Sequence, residues 1–425
     1  MHLDNLLTVT DQSVTKAKRD MENTREQIIS SAFSFYTKPE INNVSLSAIA
    51  ARAGITKPAI YRHFKSRQEL EQVLEDRVYS EIYSVLSKIT FKKDEGTLAL
   101  IEDVVVLLLT HKEYLFYLIS NQNDFSLDEA MFKLKDLGLP FFDSVFATDG
   151  SVTNMEKYKM AVYLGCNVLF FVILRNRVLE ELNRQDTYSD VLEFASKIEK
   201  FLRCGLGQNI SNFTVSRLAT LDENCQSNMK LLKPVNKIFV SVSEIVKEKG
   251  LRGITVESVA HGIGLAKSSI YTKFENKTQM IGSLIQEEFE EMFKFIKDNS
   301  VFAENNAERI YVLMETVLIY FMKKPEVLTV GKWFQFHSFA EIVNVDKYEE
   351  RVYNDYFKNI EFYDAFPDFG LPVQDKRIVV SWLTMMPVVL YRHAKTRNIS
   401  PEVVQAMLKD ILIMMETGVG KGNEK

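Results

Sequence analysis

The segment with the clearest chemistry in this sequence is short and strongly basic. Between Ser45 and Gln68 there is no acidic residue, and the five basic side chains are Arg52, Lys57, Arg62, Lys65 and Arg67. The whole chain of 425 residues carries a formal net charge of −5, so this positive charge is local. Clustered basic side chains bind phosphates and release counterions, which predicts a salt-dependent contact with nucleic acid.

A second segment repeats the first at a constant spacing of 210 residues. The windows Ser45–Leu70 and Thr255–Met280 align without a gap. The identical pairs are Ala50/Ala260, Gly54/Gly264, Lys57/Lys267, Ile60/Ile270, Tyr61/Tyr271 and Phe64/Phe274. The second window has Lys267, Lys273 and Lys277 against Glu257 and Glu275, so its net charge is only +1. This self-similarity predicts a tandem duplication with two unequal copies.

Local patterns in each copy predict a helix-turn-helix. In the first copy, an amphipathic helix begins at Thr24, and its apolar face is Ile28, Ile29, Ala32 and Tyr36. A second helix starts at the N-cap Ser45 and is broken by Gly54. A short helix follows, with Thr56 as its cap and Pro58 in its first turn, and Ser66 caps the next. This order can place one helix in the DNA major groove.

The run from Ile49 to Arg67 resembles the N-terminal domain of the TetR family of transcriptional regulators. The second copy departs from that pattern at Ala266, which lacks a capping hydroxyl, and at Lys273 and Glu275, which replace a histidine and a lysine. The resemblance implies that each copy binds double-stranded operator DNA. The residues it implies in the first copy are Ser45, Thr56, Lys57, Pro58, Ala59, Tyr61, Arg62, His63, Lys65 and Arg67. Those in the second copy are Thr255, Ala266, Lys267, Ser268, Ser269, Tyr271, Thr272, Lys273 and Lys277.

We therefore predict an all-α fold made of two TetR-like halves. The predicted order is a flexible tail (1–22), a first helix-turn-helix domain (23–70, the first head), a helical regulatory domain (71–207), a linker (208–232), a second helix-turn-helix domain (233–280, the second head) and a second regulatory domain (281–420). Each regulatory domain ends in two apolar helices and a Gly-x-Gly, which resembles the helix pair through which TetR-like protomers dimerise. The halves could pair within one chain as a pseudo-dimer, or two chains could form a homodimer.

The family resemblance also implies a small-molecule effector and, by usual role, a repressor. Aromatic residues predict an apolar or aromatic ligand, although such residues commonly just pack a core. The candidate pocket residues are Tyr114, Tyr117, Phe132, Phe141, Trp333, Phe336, His337 and Trp382.

Other classes of function are disfavoured. The sequence has no catalytic motif, no metal-ligand spacing and no cofactor motif, so we expect neither an enzyme nor a metalloprotein. Three scattered cysteines and the lack of a signal-like N-terminus favour a cytoplasmic protein. The apolar run Met160–Leu174 predicts a buried helix and not a membrane span. The alternative function is a TetR-like interaction or coactivator module in which one or both heads do not bind DNA.

Overall fold

The computed structural model describes residues 4–37, 44–88, 98, 100–121, 127–139, 152–206, 214–249, 253–331 and 376–419. Over these ranges the chain forms helices and no β-strand, which confirms the predicted all-α class. The chain divides into two compact bodies. The smaller body comprises residues 1–88 and 110–125, and the larger body comprises residues 89–109 and 126–425.

The described residues form helices α1 to α18 in chain order. Those before residue 210 are α1 (Asp4–Phe33), α2 (Leu46–Arg52), α3 (Lys57–Ile60), α4 (Arg67–Leu86), α5 (Ile101–Thr110), α6 (Lys112–Asn121), α7 (Leu127–Asp136), α8 (Val152–Glu181) and α9 (Tyr188–Cys204). Those after it are α10 (Val215–Asn228), α11 (Lys237–Lys249), α12 (Val256–Gly262), α13 (Lys267–Tyr271), α14 (Lys277–Ser300), α15 (Asn306–Lys323), α16 (Pro325–Gly331), α17 (Lys376–Thr396) and α18 (Pro401–Thr417).

The core of the smaller body forms where α1 packs against α2, α4 and α6. The predicted apolar residues Ile28, Ile29 and Ala32 of α1 are buried, and so is Tyr36, which lies just after the helix. Tyr117 of α6 packs edge-on against Phe33 and Tyr36, with ring centroids 5.4 and 5.1 Å apart. Its hydroxyl donates a hydrogen bond to the carbonyl oxygen of Glu71 at 2.8 Å. Aromatic contacts and this hydrogen bond therefore hold α1 and α4 against α6.

The first helix differs from the prediction, because it begins at Asp4 and not at Thr24. The Thr24 hydroxyl donates to the carbonyl oxygen of Asp20 at 2.9 Å, which is a bond made inside a continuing helix. Residues 4–23 contain neither proline nor glycine, so nothing in the backbone stops the helix earlier. The expected flexible tail 1–22 is therefore helical from residue 4 onward.

Helix α15 forms the centre of the larger body. It contacts α10, α14, α16, α17 and α18, and residues 310–321 are buried without exception. A helix that is apolar on all sides needs neighbours on all sides, which explains this central position.

Four helices of the larger body, α8, α9, α17 and α18, pack together into a bundle. By length and composition, one of the described helices could cross a membrane, at Lys159–Glu180 within α8, and half of its most apolar stretch is buried inside the protein. The packing of α8 against α9, α17 and α18 accounts for this apolar composition.

The ends of α9 and α18 cross each other closely. The Leu206 amide donates to the Met415 carbonyl at 2.9 Å, and the Val419 amide donates to the Leu202 carbonyl at 3.0 Å. Gly205 and Gly418 have φ values of +64° and +73°. A Cβ atom on Gly205 would lie 2.4 Å from the Gly418 nitrogen, so both conformation and space require glycine there.

The predicted linker contains a packed helix. Helix α10 buries Leu221 and Cys225 against α15 and α14. Arg217 at its start binds Glu308 through two hydrogen bonds of 2.6 and 3.0 Å. Residues 214–231 thus belong to the larger body. The helix is amphipathic, so its apolar side packs inward while its many polar residues lie on the other side.

A buried carboxyl group lies where α10, α15 and α18 meet. Gln405 donates to Glu315 Oε1, whereas Glu315 Oε2 is buried without a hydrogen-bond partner among the described residues. Asp222 accepts hydrogen bonds from Tyr311 and, at 3.0 Å, from Lys409. Burial, followed by the negative charge of Asp222, raises the pKa of Glu315 to about 8.

We predict that this carboxyl group makes stability depend on pH. Between the ordinary pKa of about 4.3 and the folded value, the folded chain binds the proton and the unfolded chain does not. The free energy of unfolding should therefore fall by roughly 2–4 kcal/mol as the pH rises from about 5 to about 8. Glu315→Gln should flatten this profile in urea titrations, whereas Glu244→Gln on the surface of α11 should not. A parallel profile for Glu315→Gln and wild type would contradict the prediction.

The close approach of Gly205 and Gly418 gives a second prediction. Gly205→Ala and Gly418→Ala should each lower the free energy of unfolding of the larger body by about 2–4 kcal/mol, through strain and overlap with the opposite backbone. Gly138→Ala is the control, because Gly138 has a φ of +81° but a Cβ atom there would meet no described atom within 4 Å. Equal losses at Gly138 and Gly205 would show that the close approach is unimportant.

Candidate nucleic-acid interface

The first head forms the predicted helix-turn-helix. The Ser45 hydroxyl accepts a hydrogen bond from the Ala48 amide at 3.1 Å and caps α2. Gly54 then adopts a φ of +68°, and the Ile55 amide donates back to the Ala50 carbonyl at 2.9 Å. This closed turn ends α2 and leads directly into α3.

Helix α3 presents most of the predicted base-contacting side chains to solvent. Ile60 is buried and faces inward. Phe64, which follows the helix, is also buried. The exposed residues are Thr56, Lys57, Pro58, Tyr61 and Arg62, and Ala59 is half-buried. Tyr61 is 48% exposed, so its ring is a surface group and not a core aromatic. One continuous face of α3 is therefore available to a groove.

The predicted phosphate-contacting residues follow α3. Lys65 is exposed and His63 and Arg67 are half-buried. Arg67 forms an ion pair with Glu71 at 2.7 Å. Ser66 caps α4 by accepting from the Glu69 amide at 3.1 Å, and the Glu69 carboxylate accepts from the Lys65 amide at 2.6 Å. The cap predicted at Ser66 is therefore present, but the capping box is not closed as predicted, because Glu69 accepts from the amide of Lys65 and not from that of Ser66.

Sequence reasoning missed one residue at this corner. The Arg25 guanidinium lies over the Phe64 ring at 4.6 Å, and its Nη1 donates to the His63 carbonyl at 3.4 Å. No spacing in the sequence links residue 25 to residue 63, because the contact depends on how α1 packs across the turn. Arg25 thus positions the backbone that carries His63.

The second head repeats the backbone pattern of the first. Gly264 has a φ of +69°, and the Leu265 amide donates to the Ala260 carbonyl at 2.8 Å. The Thr255 hydroxyl accepts from the Ser258 amide at 2.9 Å, and Asn276 Oδ1 accepts from the Gln279 amide at 2.9 Å. Each bond matches one in the first head at the spacing of 210 residues.

The outer face of α13 is also open to solvent. The exposed members of the predicted second set are Thr255, Ala266, Lys267, Ser268, Tyr271, Thr272 and Lys273. Ser269 and Lys277 are half-buried, and burial lowers the pKa of Lys277. The Thr272 hydroxyl donates to the Ser269 carbonyl at 2.8 Å, so it is engaged within its own helix.

The heads differ in a way that the capping pattern did not predict. Thr56 occupies the N-cap position of α3 but makes no side-chain capping bond, so Ala266 loses nothing by lacking a hydroxyl. The difference lies instead at Lys267, whose Nζ is 2.7 Å from Glu257. That hydrogen bond raises the pKa of Lys267. The position equivalent to Glu257 in the first head is Ser47.

The candidate effector-pocket residues have varied surroundings. Tyr114 and Tyr117 lie together on α6, and Tyr114 packs on Phe33 with ring centroids 4.8 Å apart. In the larger body, Phe132 of α7 is half-exposed and Trp382 of α17 is fully buried. Phe141, Trp333, Phe336 and His337 lie outside the described residues. A shared pocket for these residues stays a prediction.

Comparison with known proteins supports the TetR-type character of the first head. Residues 28–72 match the family model of "Bacterial regulatory proteins, tetR family". The chain therefore carries a TetR-type N-terminal domain. It is 35% identical over 82 residues to the HTH-type transcriptional regulator TtgR of Pseudomonas putida, covering 19% of this chain and 39% of that protein. Probable HTH-type transcriptional regulator ArpR of P. putida matches equally.

A third relative is the HTH-type transcriptional regulator AcrR of Shigella flexneri, which is 36% identical over 55 residues, or 13% of this chain and 26% of that protein. The chain thus spans about two-fifths or less of the length of these curated relatives. All three are named as transcriptional regulators and none as an enzyme.

We predict that Glu257 weakens the second head's contribution to DNA binding. Glu257→Ser should free Lys267 for phosphate or base contact and strengthen DNA binding by the full chain by roughly two- to five-fold. The matched reverse change, Ser47→Glu, should weaken binding by at least as much at the first head. Fluorescence anisotropy with one labelled duplex measures both. If Glu257→Ser leaves affinity unchanged while Ser47→Glu lowers it, the ion pair does not restrain the second head.

Proposed function

We propose that this protein is a DNA-binding transcriptional regulator that carries two TetR-type heads on one chain. The observation that carries this proposal is the exposed face of α3, where Lys57, Tyr61 and Arg62 project from a helix-turn-helix whose segment 45–68 has no acidic residue. The match of residues 28–72 to the tetR family model supports the same function.

In the proposed complex, α3 enters the major groove. Thr56, Lys57, Pro58, Ala59 and Arg62 approach base edges, and Tyr61, His63, Lys65, Arg67 and Ser45 contact the phosphate backbone. The second head uses α13 in the same way, with Ala266, Lys267, Ser268, Ser269 and Thr272 near bases. Thr255, Tyr271, Lys273 and Lys277 contact its phosphates. Because the two helices differ in sequence, the preferred operator is asymmetric.

We further propose that the two halves form a pseudo-dimer within one chain. The bundle of α8, α9, α17 and α18 supports this proposal, since two helices come from each half and their ends exchange equivalent hydrogen bonds at Leu206 and Val419. A pair of heads on one operator must reach successive major-groove turns about 34–36 Å apart. Pairing between two chains is the competing arrangement and gives four heads per assembly.

The proposed regulation is repression that a small apolar or aromatic effector relieves in the cytoplasm. The effector can lower operator affinity only by its own preference for the form that binds DNA poorly. The names of the relatives support regulation of transcription, and the described aromatic residues Tyr117 and Trp382 support an apolar interior.

An interaction or coactivator module is a second candidate function. The ion pair between Lys267 and Glu257 favours an interaction role for the second head. A lysine whose charge is already compensated by a carboxylate is a poor phosphate ligand. In the first head the position equivalent to Glu257 is Ser47, which is not acidic.

Selection of bound sequences from random DNA by the full chain tests the proposed function. We expect an asymmetric site of two half-sites, bound less tightly as salt rises. Lys57→Ala should weaken binding to the selected duplex by roughly ten-fold or more, Lys267→Ala less, and the exposed control Lys200→Ala on α9 not at all. Absence of salt-dependent binding would reject DNA regulation, and a single half-site would leave the second head as an interaction module.

A further inference from the structure

The two helix pairs of the bundle correspond residue by residue. Asn183 after α8 and Asn398 after α17 both adopt positive φ, at 50° and 54°. The next amide closes the same bond in each, Arg184 to the Leu179 carbonyl and Ile399 to the Ala394 carbonyl, at 2.8 and 2.9 Å. Equivalent positions in α8 and α17 therefore differ by 215 residues. The glycine ends Gly205 and Gly418 set the difference between α9 and α18 at 213.

This correspondence makes the crossing of α9 and α18 reciprocal. Leu206 and Val419 are equivalent donors, and Met415 and Leu202 are equivalent acceptors, so the two bonds are one interaction made twice. Such an exchange is the signature of a two-fold interface, in which residue i contacts j and j contacts i. The two helix pairs are thus related by an approximate two-fold axis within the larger body.

Asn167 and Trp382 also differ by 215 residues, so they are equivalent positions that touch each other. The Trp382 Nε1 donates to Asn167 Oδ1 at 2.7 Å, and the Asn167 Nδ2 donates to the Tyr163 carbonyl at 2.7 Å. Both side chains are fully buried. Equivalent residues can meet only on the two-fold axis, where a symmetric dimer places a residue against itself.

We propose that Asn167 and Trp382 select the partner of each helix pair, so that the first half binds the second half and not a copy of itself. This inference rests on the proposed pseudo-dimer. Pairing two first halves would set Asn167 against Asn167, with a space where the indole was. Pairing two second halves would set Trp382 against Trp382, which overfills the bundle and leaves indole N–H groups without the amide acceptor.

A charged contact discriminates in the same direction. Lys159 of α8 is nearly buried and forms ion pairs with Glu156 and with Asp410 of α18. The position in α9 that is equivalent to Asp410 is Lys197. Pairing two first halves would therefore bring Lys159 close to Lys197, which replaces a partly buried attraction with a repulsion. Shape, hydrogen bonding and charge all favour pairing of unlike halves.

Exchanging the two residues in the full-length chain tests the proposal. Asn167→Trp and Trp382→Asn should each lower the melting temperature of the larger body by roughly 5–10 °C. The double variant that carries both changes should recover at least half of the summed loss, because the same pair forms with its members exchanged. Two residues that merely fill separate cores would instead give additive losses, and additive losses would overturn the proposal.

Mixing the single variants tests the choice of partner. The Asn167→Trp chain has tryptophan at both axis positions, 167 and 382, and the Trp382→Asn chain has asparagine at both. A tryptophan can therefore face an asparagine only when one chain of each variant pairs with the other. Coexpressed with different tags, they should copurify as an assembly of about twice the 49.0 kDa chain mass, whereas two wild-type copies should not. Copurification no greater than that of wild type would overturn partner selection.

These readouts contain no DNA, so they are independent of operator binding. A wild-type chain that binds no DNA but shows rescue by the exchanged pair would reject the proposed regulator and keep this inference. A wild-type mass of two chains would reject the single-chain pseudo-dimer and, with it, this inference.

Discussion

Two peptide N–H groups, on Leu206 and Val419, each donate to a carbonyl at the end of the opposite helix, and this exchange joins α9 to α18 in the four-helix bundle of the larger body. Backbones can approach so closely only where a Cβ atom is missing, which is why α9 and α18 both end in glycine. The crossing fixes the register of α9 against α18. In the same bundle, Trp382 of α17 donates to Asn167 of α8, and Lys159 of α8 pairs with Asp410 of α18.

The two heads show how one backbone plan can carry different electrostatics. Their turns have nearly the same glycine φ, the same amide-to-carbonyl closure and the same side-chain caps before the following helix. The inward Ile60 and Ile270 are both buried, so each short helix is seated in the same way. What differs is the residue near the first lysine of the short helix, which is Glu257 for Lys267 in the second head and Ser47 at the equivalent position in the first head. Fold is set by the buried residues, and the charge of the outer face varies independently of them.

Features that depend on local spacing could be predicted from the sequence. The glycine turns at Gly54 and Gly264, the side-chain caps at Ser66 and Asn276 and the buried face of α1 need only neighbours within a few residues. The linker predicted before the second head contains a packed helix over Val215–Asn228. Its short amphipathic pattern did not reveal this, because the burial of Leu221 and Cys225 depends on α15 being packed against them. The residue type of Thr56 predicts a capping bond, but only the backbone shows that none forms.

Long-range pairings lay beyond sequence reasoning. The repeat of 210 residues holds in the heads but becomes 215 in α8 and α17 and 213 in α9 and α18, so an alignment anchored in the heads does not match Asn167 with Trp382. That match follows from the two positive-φ asparagines, which are visible only once the backbone is known. In the same way, the contact of Arg25 with His63 depends on the packing of α1 and not on any motif.

The meeting of Asn167 with Trp382 has a consequence for how such a protein can change over generations. In a dimer of identical chains, every mutation at the axis appears on both sides at once, so a small residue can never face a large one there. Joining the two copies in one gene removes that restriction, since each side mutates separately. A donor on one side and an acceptor on the other then become attainable in single steps, and once they are in place the two copies can no longer exchange roles. Under the proposed pairing of unlike halves, such a change makes the divergence of the two helix pairs difficult to reverse.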